Sequence, residues 1–146
     1  MPDPLLGKIE EAVNDLLLAF DVTDPPVPVE VMLQRPKAGM WKEFNLSDLS
    51  MAYVNVKQRY SPRSSVARLL VRYIIRSEWG STRGLDALIM DELGVRAFAR
   101  AILMPREMLF RSTNSRELVK LSQRFEMPED DVQQRLIELG IPVENT

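Results

Sequence analysis

The sequence predicts an α+β fold, mainly helical with a small antiparallel sheet. Three observations lead there. Amphipathic patterning at helical spacing covers most of the chain, one segment between Gly39 and Val56 is rich in aromatic and branched residues, and caps and prolines cut the remainder into separate helices. With 146 residues, 45% of them hydrophobic, the chain can bury a core as one domain without disulfides or metal.

Residues 4–20 form the first predicted helix, with Leu5, Ile9, Val13, Leu16, Leu17 and Phe20 near one face. It ends before Asp24-Pro25-Pro26, and the prolines through Pro28 keep the next stretch extended by barring their predecessors from helical angles. Pro28 suits the first turn of a short helix over Val29–Leu33. Two or three antiparallel strands follow, built on Met40-Trp41-Lys42-Glu43-Phe44 and Met51–Val56, with the turn formers Asn45-Leu46-Ser47-Asp48 between them. Such a hairpin needs a covering layer, which the later helices supply.

Ser61 and Pro62 open the central helix as N-cap and first-turn proline, and it runs to about Trp79, where Gly80 closes it. Val66, Leu69, Leu70, Tyr73 and Ile74 share one face; Arg68, Arg72 and Arg76, at i, i+4 and i+8, share another. Leu85–Met104 forms the next helix, stopped by Pro105, with Gly94 as the place where it would break in two. A short helix near Glu107–Phe110 and a polar loop lead to a closing helix pair, Ser115–Phe125 and Pro128–Leu139, ended by Gly140 and Pro142. Trp41 and Trp79 are expected to pack rather than to contact a ligand.

Composition narrows function more sharply than it narrows fold. The chain contains no histidine and no cysteine, which removes the commonest general base, the commonest transition-metal ligand and the thiolate nucleophile. No glycine-rich phosphate loop occurs, and none of the lysines stands in a recognisable Ser-Lys motif. Acidic pairs such as Glu10-Glu11 and Asp130-Asp131 read as exposed helix faces. No apolar run approaches the ~18 residues needed to span a membrane, and the N-terminus lacks the pattern of a signal peptide. The expectation is a cytoplasmic protein without membrane contact, cofactor or metal.

The net charge of −2 conceals a basic block. Residues 57–83 carry Lys57, Arg59, Arg63, Arg68, Arg72, Arg76 and Arg83 against Glu78 alone, whereas residues 1–50 and 115–146 are both acidic. Such a block either attracts an anionic partner, nucleic acid included, or pairs with the acidic segments of its own fold.

Three stretches in fixed order carry a resemblance. They are Tyr53-Val54-Asn55-Val56 through Val66-Ala67-Arg68-Leu69-Leu70-Val71-Arg72, then Phe98-Ala99-Arg100-Ala101-Ile102-Leu103-Met104-Pro105, then Leu118–Phe125 leading to Arg135-Leu136-Ile137-Glu138-Leu139-Gly140. Over residues 25–141 the chain resembles the ImmA/IrrE family of zinc metallopeptidase-like proteins. The resemblance implies a zincin-like minimal domain over 25–111, preceded by an N-terminal helix within 1–24 and followed by a C-terminal helical pair within 112–146. It places the family's two histidine ligands on Arg68 and Arg72, its catalytic glutamate on Leu69, and its third, acidic ligand at Glu92 or Asp91.

Those departures decide the functional expectation. Arginine offers no lone pair and repels a dication, and leucine cannot take a proton. A lone carboxylate cannot hold zinc, but it can pair with Arg68 or Arg72 and set a buried salt bridge where the metal would sit. The chain is therefore expected to be a catalytically inactive pseudoenzyme that works as a protein-binding or regulatory module, with a transcriptional regulator as the partner the resemblance suggests. The alternative is an anion or nucleic-acid binder using Arg59, Arg63, Arg68, Arg72 and Arg76; a weaker one is a peptidase with an atypical metal site dependent on Glu92. The closing helix pair also has the outline of a helix-turn-helix, but Glu129-Asp130-Asp131 at the start of its second helix would repel phosphate, so packing is the expected role.

Overall fold

The computed structural model describes residues 4–41, 47–48, 61–112 and 117–142. It is an assembly of helices: α1 (Pro4–Ala19), α2 (Val29–Gln34), α3 (Ser61–Arg76), α4 (Glu78–Thr82), α5 (Leu85–Leu88), α6 (Glu92–Leu103), α7 (Arg106–Arg111), α8 (Leu118–Phe125) and α9 (Glu129–Leu139). The α+β expectation, and with it the zincin-like domain built around a sheet, is corrected: 73% of the structure is helix, 1% is strand, and no sheet occurs among the described residues. Lys42–Phe44 and Met51–Val56, which carry most of the expected strands, lie outside those residues.

Met40 and Trp41, where the first strand was expected to start, show why the reading failed. The backbone turns there, with the Met40 amide donating to Lys37 O at 3.1 Å, and the Trp41 indole donates to Leu33 O at 2.7 Å. Trp41 is buried and meets Tyr73 edge-on at 6.2 Å. Aromatic and branched residues favour any half-buried surface, and here they seal the end of α2 against α3 instead of pairing strands.

The core runs through α6, which buries Val95, Ala97, Phe98, Ala99, Ala101, Ile102 and Leu103. Its alanines let neighbours approach closely; α3 lies along one side, with α1 and α9 on others. From α3 come Val66, Ala67, Leu70, Val71 and Ile74, all inaccessible to solvent. Full burial of each large apolar side chain contributes about 1.5–3 kcal/mol.

Two helix boundaries differ from expectation, each for a local reason. The central helix stops at Arg76 because the Ser77 hydroxyl donates to Ile74 O at 2.7 Å and accepts from the Gly80 amide at 3.1 Å, capping α4. Gly80 therefore lies inside a helix rather than closing one. The following helix breaks at Ile89–Asp91, not at Gly94, because Asp91 caps α6 by accepting from the Gly94 amide at 2.8 Å. The closing pair falls inside its expected bounds, with Glu126 and Gly140 both left-handed at the helix ends.

Candidate functional site

The arginine stripe of α3 is drawn apart by what each side chain meets. Arg63, near the start of the helix, donates to Val27 O at 3.0 Å and to Glu126 O at 3.1 Å, tying the proline-rich segment to the end of α8. Burial lowers its pKa, against the raising fields of Glu126 and Glu30. Arg76 donates to Arg72 O at 3.0 Å and lies over the Tyr73 ring, in the last turn where the helix dipole favours a cation. Arg83 stacks on Trp79 at 3.8 Å and reaches Asp15 at 3.3 Å. Arg59 lies outside the described residues.

Arg72 meets Glu92. Its Nη2 donates to both carboxylate oxygens at 3.0 Å, and Arg96 approaches the same carboxylate at 3.7 Å. The partners sit on α3 and at the first turn of α6, brought together by the packing of those two helices. The pair is not buried as expected: the two side chains are 41% and 49% exposed, so it contributes about 0–1 kcal/mol. Leu69, between the two arginines, is buried in the core. Asp91, the other acidic candidate, is occupied as the α6 cap.

Arg68 is different. It is half-buried; among the described residues its one polar contact is the donation of Nη2 to Ser65 Oγ at 3.1 Å, and no carboxylate stands in ion-pair contact with it. Burial lowers its pKa, as do the charges of Arg96 and Arg72, while Glu92 and Asp131 act in the opposite direction. It borders a cavity of about 100 Å³ lined also by Ser64, Arg96, Arg100 and Asp131, over an apolar floor of Ala99 and Leu103. Arg100 is committed to Glu138 through a two-pronged bridge at 3.0 and 2.6 Å. Asp131 accepts from the Ser64 hydroxyl at 3.3 Å; burial raises its pKa, opposed by Ser64, Arg100 and Arg68.

No family model, curated protein or solved structure matches this chain. The chemistry of the site therefore rests on its own donors and acceptors. The residues at the positions assigned to metal ligands do not fit zinc: Arg68 and Arg72 are cations and both oxygens of Glu92 already accept from Arg72, while Leu69, at the catalytic position, is hydrocarbon. Among the described residues, no three His, Cys, Asp or Glu side chains group to hold a metal ion.

Sequence reasoning did not single out Arg96, Arg100, Ser64 or Asp131. The available signal was the pair Arg96 and Arg100, four residues apart on a helix that is otherwise apolar after Glu92, the same spacing as Arg68 and Arg72 on the helix it packs against. The reading of Glu10 and Asp131 as exposed is also corrected. Asp131 is half-buried in the cavity, and Glu10 holds the guanidinium of Arg135, a residue wholly shielded from solvent. That burial further separates the closing pair from a helix-turn-helix, since Arg135 cannot reach a base edge.

Proposed function

We propose that this protein is a non-catalytic binding module whose partner is another protein. The observation that carries the reading is the Arg72–Glu92 pair, an ion pair occupying the positions where the metallopeptidase-like resemblance would put metal ligands. A module of this kind keeps a recognition surface while lacking the groups for hydrolysis. A transcriptional regulator is the partner that the resemblance favours.

An apolar groove of about 480 Å³ between the end of α1 and α7 offers a surface for such a partner, with Leu17, Val22 and Met108 along it and Leu18 77% exposed beside it. Burying Leu18 against a partner would contribute about 1.5–3 kcal/mol. The test is affinity isolation from native lysate with wild-type and Leu18→Asp protein side by side, followed by incubation of the captured protein with the pure chain. A partner retained by wild type, lost by the folded Leu18→Asp variant and left uncleaved supports the reading; cleavage of the partner, or equal capture by both proteins, contradicts it. A nucleic-acid face along the whole basic segment is less well supported, because Arg63 and Arg72 are engaged internally. The atypical peptidase lacks a fitting donor set at Glu92.

No helix among the described residues is long and apolar enough to cross a membrane.

A further inference from the structure

We propose that the pocket between α3, α6 and α9 binds a phosphate group, either free phosphate or the terminal group of a small phosphate monoester, held by Arg68 together with Arg96 and Ser64. This inference is independent of the protein-binding reading, whose groove lies between the end of α1 and α7.

The donors of Arg68 are the first requirement of such a site. A guanidinium carries five N–H donors in a fixed fork, and among the described residues this one makes a single contact, to Ser65, while bordering a cavity. A half-buried cation beside two like charges is costly unless an anion accompanies it. Pairing the neighbours shows which cation is left over. Among the described residues Arg72 and Arg100 are bound to Glu92 and Glu138, and Arg96 approaches Glu92, so Arg68 is the cation at the cavity without an ion pair, with Asp131 and Asp130 as the remaining carboxylates nearby.

Shape and donor geometry give the class of the anion. The cavity of about 100 Å³ holds the equivalent of about three waters, the scale of a phosphate group and too small for a sugar or base. Residues that can donate line the cavity from two helices, Arg68 and Ser64 on α3 and Arg96 on α6, and donors on separate walls suit the spread of acceptors on a tetrahedral oxyanion better than a planar carboxylate. Asp131 stands on the third wall as the opposing group: its carboxylate repels the anion and accepts the Ser64 hydroxyl that the anion would otherwise receive.

Isothermal titration at fixed ionic strength, with chloride as the replaced salt, tests the site using inorganic phosphate and phenyl phosphate as probes. The expected result is one site per chain for at least one probe, with a Kd of about 1 mM or tighter. Arg68→Gln should weaken binding by about tenfold or more, and Asp131→Asn should tighten it by about threefold or more. Preference for phenyl phosphate would identify an ester as the source, and equal affinity the free ion. Since removing Arg68 relieves like-charge repulsion, the Arg68→Gln variant should melt no lower than wild type. Absence of saturable binding by both wild type and Asp131→Asn, or unchanged binding by Arg68→Gln, or weaker binding by Asp131→Asn, would overturn the proposal.

Discussion

Replacing Glu10 with alanine should lower the stability of the fold by about 3–5 kcal/mol, one of the two largest expected effects of a single substitution. Arg135 is wholly buried, and Glu10 holds it with hydrogen bonds of 2.6 and 2.8 Å while its Nε donates to Met104 O at 3.0 Å. Removing the carboxylate leaves a guanidinium shielded from water with one neutral acceptor, and the desolvation of the charge goes uncompensated. The pair also joins α1 to α9 across 125 positions of sequence, so its loss loosens both ends of the chain at once. Substituting both partners with apolar residues, Glu10→Leu with Arg135→Met, should restore most of the stability, because neither charge then needs a partner. Urea denaturation of wild type, the two single variants and the double variant checks this. Additive losses would show that the two side chains are not coupled.

Gly80→Ala should cost about 3 kcal/mol or more, the upper end of what overpacking does. A Cβ at that position would lie 2.0 Å from Ile74 O and 2.9 Å from Ile74 C, both backbone atoms at the end of α3 that no rotamer change can move aside. The corner between α3 and α4 must open to accept it, pulling on Trp79, whose amide donates to Gly39 O at 2.8 Å. Gly7 is the internal comparison: it lies in α1 with nothing within 4 Å of an added Cβ, so Gly7→Ala should stabilise by about 0.5–1 kcal/mol. Opposite signs at the two glycines, read as shifts in the urea midpoint, are the expected outcome. A neutral Gly80→Ala would mean that the corner has room the structure does not show.

These two positions also mark how far the sequence could be read. Helices announced by periodicity and punctuated by proline emerged where expected: α1, α8 and α9 lie within their bounds, α2 starts at Val29 as expected and runs one residue past Leu33, and Pro105 separates α6 from α7. Those signals are local, and local chemistry enforces them. Gly80 was legible as a glycine but not as a close approach, since the atom it avoids belongs to a helix end folded back by the Ser77 cap. The aromatic run at Met40-Trp41 misled because burial was read as strand pairing, and nothing in the spacing distinguishes the two. The same limit applied to charge. Glu10 and Asp131 each stand beside another acidic residue on a helix, the pattern of a solvated face, and only the packing of α9 against α1 and α6 reveals that one holds a buried arginine and the other lines a cavity. Within the arginine stripe, the spacing gave the face correctly, while the division into paired Arg72 and unpaired Arg68 depended on where Glu92 came to rest.

Positions 68, 72 and 92 converging on one place is the claim from which the rest follows. Substituting Arg68→His and Arg72→His removes the two cations and supplies two neutral imidazoles one helical turn apart, with the Glu92 carboxylate, released from Arg72 and left with Arg96 at 3.7 Å, as a third ligand. Zinc content per chain, measured by elemental analysis after dialysis, tests the convergence directly. The account predicts about one zinc per folded chain in the double variant, lost again when Glu92→Ala is added. A folded double variant that retains no zinc, or holds it equally well without Glu92, would contradict it.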